Sequence, residues 1–96
     1  MELHIFARFH ARPGNEEAVS QAMLEGMIPS KEEPGCISIR HFRSLRDPQL
    51  FFLYSHWKDE EAFERHAELP HTVRFLETVV SLLDHPFTVS LAEQIW

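Results

Sequence analysis

The segment Leu50-Phe51-Phe52-Leu53-Tyr54 is apolar at every position, and Ser55-His56-Trp57 continues it in an extended pattern. A strand that is apolar on both sides has to be covered on both sides, and this one is far too short to cross a bilayer. Helices on one face and a partner sheet on the other meet that demand. The most economical partner sheet is that of a second copy of the chain, which predicts a homodimer packed sheet on sheet. A chain of 96 residues makes one domain, residues 1–96, without room for a separate cofactor-binding module.

The flanking segments define the rest of the sheet. From Leu3 to Arg12, Leu3, Ile5, Ala7, Phe9 and Ala11 fall on one side and His4, Arg8, His10 and Arg12 on the other. This period of two marks a strand, with Phe6 the one apolar residue on its polar side. Arg12-Pro13-Gly14-Asn15 makes a turn. Gly14 or Asn15 then caps a helix that carries Glu16 and Glu17 at its positive end and Val19, Ala22, Met23 and Met27 as an apolar stripe. Pro29 interrupts the pattern, and Ser30 with Glu33 has capping-box spacing for one further short turn, which Pro34-Gly35 stops. Cys36 to Arg43 reads as a second strand, joined through Arg46-Asp47-Pro48-Gln49 to the third. Asp59 caps a helix that turns Ala62, Phe63 and His66 inward, and Leu69-Pro70 breaks it. The spacing predicts another helical segment from about His71 to Leu83, with Val73, Leu76, Val79, Val80 and Leu83 on one face. Phe87, Val89, Leu91 and Ile95 alternate with polar neighbours as a last strand. The order strand, helix, strand, strand, helix, strand specifies an α+β, ferredoxin-like βαββαβ fold: a four-stranded antiparallel sheet with helices on one face.

Nine basic against fifteen acidic side chains give a net charge of −6, which disfavours nucleic acid and anionic membrane surfaces as partners. The lone Cys36 cannot form an internal disulfide, and Met1-Glu2-Leu3-His4 lacks a signal-peptide pattern, so a cytoplasmic protein is expected. Seven histidines invite a metal site. However, His66 and His71 are five positions apart with Pro70 between them, and neither HExxH nor Cys-x-x-Cys occurs, so none is expected. Without a G-x-S-x-G elbow or a glycine-rich phosphate loop, hydrolase and NTPase chemistry lack support.

One cluster remains. Trp57, Phe63, His66, His71 and Phe75 fall within nineteen positions and can line the space between the broken second helix and the sheet. An apolar pocket with one or two imidazoles suits a planar aromatic substrate that must lose a proton. The same residues also suit an ordinary core in which a histidine caps a backbone group.

Several segments carry a family likeness. Arg12-Pro13-Gly14 precedes an acidic helix, and Glu32-Glu33-Pro34-Gly35-Cys36 opens the second strand. Phe52 to Trp57 is followed by Asp59-Glu60-Glu61-Ala62-Phe63 and by His66 through Leu69-Pro70-His71. Together they resemble the antibiotic biosynthesis monooxygenase domain, a family of dimeric ferredoxin-like α+β barrels that includes quinol monooxygenases. The resemblance runs from about residue 2 to about residue 91 and is most specific from Tyr54 to His71. It implies a homodimer that oxygenates a small quinol or polyketide-like phenol with O₂ and uses no cofactor, whether flavin, haem or metal. The electron-rich phenolate itself reduces O₂, so the protein need only bind the substrate and deprotonate it. An imidazole, with its ordinary pKa of about 6.5, is a suitable base.

The resemblance gives the base role to His66 or His71, the walls to Trp57, Phe63 and Phe75, and the steadying of the developing anion to Arg40 or His41. Ser55 is a departure, because the family commonly has Glu two places before the third-strand Trp. The same family includes isomerases of a small phosphorylated dione, which would need an anion site of two or more arginines drawn from Arg8, Arg40, Arg43, Arg65 and Arg74. It also includes haem-degrading proteins, but their pocket Trp is replaced here by His66 and their strand-one Asn has no match in Leu3 to Phe9, so haem is the least supported of the three. A dimeric ligand-binding module that keeps the fold without the chemistry is a further alternative.

Overall fold

The computed structural model describes residues 1–96. Its elements are β1 (Leu3–His10), α1 (Glu16–Ser30), β2 (Cys36–Arg43), β3 (Leu50–Trp57), α2 (Glu60–Glu68), α3 (Pro70–Val80) and β4 (Thr88–Ala92). The four strands form one sheet in the order β2-β3-β1-β4, every neighbouring pair antiparallel. This is the ferredoxin-like arrangement, its second helical unit split into α2 and α3. No helix is long and apolar enough to cross a membrane.

The alternation in β1 sends Ile5, Ala7 and Phe9 under the helices, where they are buried. One core cluster joins Ala7, Phe9 and Phe51 of the sheet to Val19 and Met23 of α1, Val79 of α3 and Leu83 beyond it. A smaller cluster of Ile5, Trp57 and Ala62 lies under α2. The register pairs His4 with His56, Phe6 with Tyr54 and Arg8 with Phe52, and Phe52 in turn with Phe42. These residues share the face turned away from the helices. There Phe6 (53% exposed), Phe42 (51%) and Phe52 (38%) stand open, so within the chain the second face of β3 has no cover.

Three local expectations are corrected. First, α1 runs through Pro29 to Ser30, and Ser30 does not cap a new turn. Its hydroxyl donates back to the Gly26 carbonyl at 3.0 Å, while successive backbone bonds from Lys31, Glu32 and Glu33 tighten the chain and leave the Glu33 side chain free of the helix end. Second, α3 ends at Val80, and Thr72 and Val79 are buried while Val73 and Val80 are exposed. Starting the helix at Pro70, which suits a first helical position, sets the inward stripe at Thr72, Phe75, Leu76 and Val79. Third, β4 stops at Ala92 and Ile95 is 90% exposed.

Asp59 caps α2 as expected, its carboxylate accepting the Ala62 N–H at 2.8 Å. Leu69, extended at φ −69 and ψ 145, is both the last residue of one helix boundary and the first of the next. Gly35 has φ +93, and a Cβ there would lie 2.7 Å from that of Ala62. Glycine therefore lets the turn after α1 both bend and press against α2.

Candidate functional site

Between the helices and the sheet lies a cavity of about 120 Å³. Its wall is apolar but for Ser55, His66 and Thr72, and includes Ile5 and Ala7 of β1, Phe63 of α2 and Phe75 of α3. A cavity of this order accepts one benzene-sized ring.

His66 is held from behind. Its Nδ1 is 2.8 Å from Oε2 of Glu33, and the same oxygen is 2.6 Å from Nε2 of His71. The Glu33 side chain is only 8% exposed, against 16% for His66 and 20% for His71. An ionised carboxylate accepts only, so each imidazole presents an N–H to Glu33. In its neutral form His66 thus has its lone pair on Nε2, which has no partner within the chain. Its ring also packs on Trp57, with centroids 4.6 Å apart, and lies 3.3 Å from the Thr72 hydroxyl through Nδ1. Contact along α2 and across from β3 therefore fixes the plane of the His66 ring, while the turn after α1 fixes its tautomer.

The site residues expected from the sequence divide as follows. His66, Phe63 and Phe75 line the cavity. Trp57 is fully buried and packs behind His66 and Phe63 instead of forming the wall. Its indole N–H donates to the Ser55 hydroxyl at 2.9 Å. His71 faces the other way, lining an open groove of about 250 Å³ between α1 and α3 together with Glu25 and Arg74. Arg40 is a correction: it pairs with Tyr54, so it stands exposed on the sheet face opposite the cavity. His41 pairs with Leu53 on the helix side, but it does not reach the cavity wall, and its buried Nδ1 has no partner.

Glu33, which holds both histidines, has only the spacing of a cap in the sequence. Its Pro34-Gly35 neighbours marked a turn, but nothing local signalled two histidines 33 and 38 positions later. It also supplies a carboxylate to the histidines in a chain where β3 has Ser55. Burial, and then the charge of Glu33, push the Cys36 thiol up from its ordinary range, which makes it a poor nucleophile.

A second titratable cluster lies at the far end of β1. His10 bonds Asp47 through Nε2 at 2.9 Å and Asp84 through Nδ1 at 2.8 Å, and His85 meets the other oxygen of Asp84. The Asp47 bond first, then the Asp84 bond, raise the pKa of His10 against partial desolvation. Asp47 is lowered by the same bond and by the Gln49 N–H. For Asp84 desolvation pushes upward most strongly, but the His10 bond and the charges of His10 and His85 together carry it down. Three groups bring ligand atoms within 4.8 Å of one another and could hold a cation: Glu33 with His66 and His71, His10 with Asp84 and His85, and Glu2 with His4 and His56.

A protein of the cyanobacterium Synechocystis, sll1783, is 30% identical over 74 residues, 77% of this chain. The chain spans about half (48%) of that relative's length. Rv0793 of Mycobacterium tuberculosis is 31% identical over 88 residues, covering 91% of this chain and 85% of the relative. Its solved structure superposes with a TM-score of 0.93 at 23% identity, over 99% of this chain and 96% of the other. SnoaB, a cofactor-independent oxygenase from Streptomyces nogalater, shares the fold at a TM-score of 0.90 and 16% identity, over 99% and 94% of the two chains. Residues 3–78, from the first strand through most of α3, match the antibiotic biosynthesis monooxygenase family, and the chain belongs to that family.

Proposed function

We propose that this chain is a cofactor-independent monooxygenase that oxidises a small, single-ring quinol or phenol with O₂, with His66 as the base. The observation that carries the reading is the pairing of His66 Nδ1 with Glu33, which leaves Nε2 available beside an apolar cavity of single-ring size. A phenol ring lies against Phe63 and Phe75, and its O–H proton passes to Nε2 of His66. The phenolate then supplies the electrons that reduce O₂. One oxygen atom enters the product and the other leaves as water, with the hydrogens coming from the substrate. Family membership and the oxygenase SnoaB of the same fold support this reading. Glu33 takes the carboxylate role that Ser55 does not offer.

The uncovered aromatic face of the sheet supports a homodimer, a second copy laying its own Phe6, Phe42 and Phe52 against the first. The isomerase reading finds no arginine in the cavity wall. Arg8 and Arg40 lie on the open sheet face, Arg43 and Arg65 pair with Glu17 and Glu61, and Arg74 lines the outer groove.

The test is oxygen uptake by metal-stripped protein against a panel of hydroquinones and naphthols, with heat-denatured protein as the autoxidation control. Uptake should survive chelators and fall by about 10²- to 10⁴-fold in His66→Ala. Absence of uptake across the panel, or equal rates in His66→Ala, would refute the mechanism.

A further inference from the structure

Beside the cavity, on its α1 side, lies a smaller void of about 30 Å³. Met23, Gly26, Met27 and Ser30 border it from α1, at the spacing of one helical face. Ile39 of β2, Leu53 of β3, His66, Thr72 and Phe75 complete its wall, and these five also line the cavity. The two spaces therefore meet across shared side chains, with the His66 ring at the border. Close-packed interiors keep few voids large enough for even a water molecule. We propose that this void is a binding site for the O₂ that the reaction consumes. The inference rests on the reading of the chain as a cofactor-independent monooxygenase and deepens it with a site for the second substrate.

The void is large enough for one small molecule and too small for a phenol ring. Its wall suits O₂ better than water, which needs about two to four polar partners in such a place. The Ser30 hydroxyl donates to the Gly26 carbonyl at 3.0 Å, and the Thr72 hydroxyl lies 3.3 Å from His66 Nδ1. Most of the remaining wall is Met, Ile, Leu and Phe. O₂ needs no hydrogen bond and leaves water readily for apolar surroundings, and the polarisable thioethers of Met23 and Met27 give it dispersion contacts. The room available points the same way. A ring that fills the cavity of about 120 Å³ leaves no space there for a second molecule, so O₂ has to meet the phenolate from an adjoining one. The void adjoins the cavity along Ile39, Leu53 and Phe75, beside the base that forms the phenolate. Gly26 and Phe75 also line the outer groove between α1 and α3, which gives O₂ an approach that a ring in the cavity does not block.

The experiment is methyl NMR of the full chain under oxygen pressure, with argon at equal pressure as the reference, before and after addition of para-cyanophenol. O₂ is paramagnetic and speeds the relaxation of nearby methyl groups, an effect that falls steeply with distance. Para-cyanophenol stands in for the substrate: its electron-poor ring does not reduce O₂, and its ultraviolet spectrum separates the neutral and ionised forms. With the phenol bound, the enhancement at Met23 and Met27, which line the void and not the cavity, should be several-fold that at the fully buried Val19 and Val79. At Ile5 and Ala7, which line the cavity and not the void, it should fall to the level of those two valines. Met27→Phe fills the void from α1 without touching the cavity wall and should abolish the enhancement at Met23. Phenol bound as phenolate, with Met23 and Met27 relaxing no faster than Val19 and Val79, overturns the O₂ site and leaves the base reading intact. A wild type that does not bind the phenol overturns both. The wild-type comparison decides between these outcomes even if the variant fails to fold.

Discussion

Gly26 lies on α1 opposite Phe75 of α3, and a Cβ built there would lie 2.8 Å from Phe75 Cδ1, 3.0 Å from Cγ and 3.2 Å from Cβ. Two effects of opposite sign therefore meet in Gly26→Ala. Alanine in a helix interior is worth about 1 kcal/mol over glycine. Against that, the new methyl group needs several tenths of an ångström that the packing does not have. Ring rotation relieves the contact with Cδ1 but not those with Cγ, which lies on the rotation axis, or with Cβ, which is tied to the α3 backbone. Either α1 and α3 move apart or Phe75 moves into the cavity it lines, and overpacking of this kind costs about 1–3 kcal/mol. The clash should win by ~1 kcal/mol, lowering the melting temperature by roughly 4–8 °C for a domain of this size. The cavity should lose more than the fold, because Phe75 is the wall with room to yield. Affinity for para-cyanophenol should fall about tenfold, or ~1.4 kcal/mol. Thermal melts followed by circular dichroism and calorimetric titration read the two quantities separately. A melting temperature raised by 4–8 °C with unchanged affinity would show that the helix-propensity term stands alone and that Phe75 is not wedged.

Asp59→Ala removes the only side-chain cap of α2 and should cost about 1 kcal/mol in urea unfolding, with His66 carried on the frayed helix. The pKa of His10 is raised above 6.5, so its bonds stabilise fully below that value and lose their effect as pH rises through the folded pKa. The pKa values of Asp47 and Asp84 are lowered below 3.8, so their share is present above that value and lost as pH falls through the folded ones. The stability gap between wild type and His10→Gln, measured by urea unfolding across pH, should be widest between those limits and narrow on either side. A gap independent of pH would contradict the assignment. Phe52→Glu places a charge on the uncovered sheet face, twice in the proposed two-fold dimer, and should sediment as a monomer, against the dimer expected of the wild type. A monomeric wild type would remove the argument from the open face.

What the sequence discloses is mostly what repeats locally. The alternation of β1 marks the buried Ile5, Ala7 and Phe9, and Asp59 with Glu60 and Glu61 marks the start of α2. Leu69-Pro70 marks its end. The helix-side histidine His66, with Phe63, is legible for the same reason, since one helical turn brings them to one face. Arg40 and His41 are not, because the register shifts between Cys36 and Ser38, and the parity of the later residues cannot be counted from the strand's first residue. Val73 and Val80 mislead by their apolarity, as both lie on the outer side of a helix whose phase is set by Pro70. Glu33 lies beyond any local pattern. Its role arises only when the turn after α1 is packed against α2, a contact made close by the bare Cα of Gly35.

Leu69 also sets a limit on length changes. It alone separates the helix that carries His66 from the helix that carries His71, and both imidazoles must meet one carboxylate oxygen. Adding or deleting one residue within either helix, between each histidine and Leu69, would rotate the affected ring by about 100° around its helix axis. That would swing the ring away from Glu33 even though every side chain is still present. A protein that uses this trio therefore cannot vary in length between residues 66 and 71, whereas the fully exposed loop tip at Leu45 has no part in holding it.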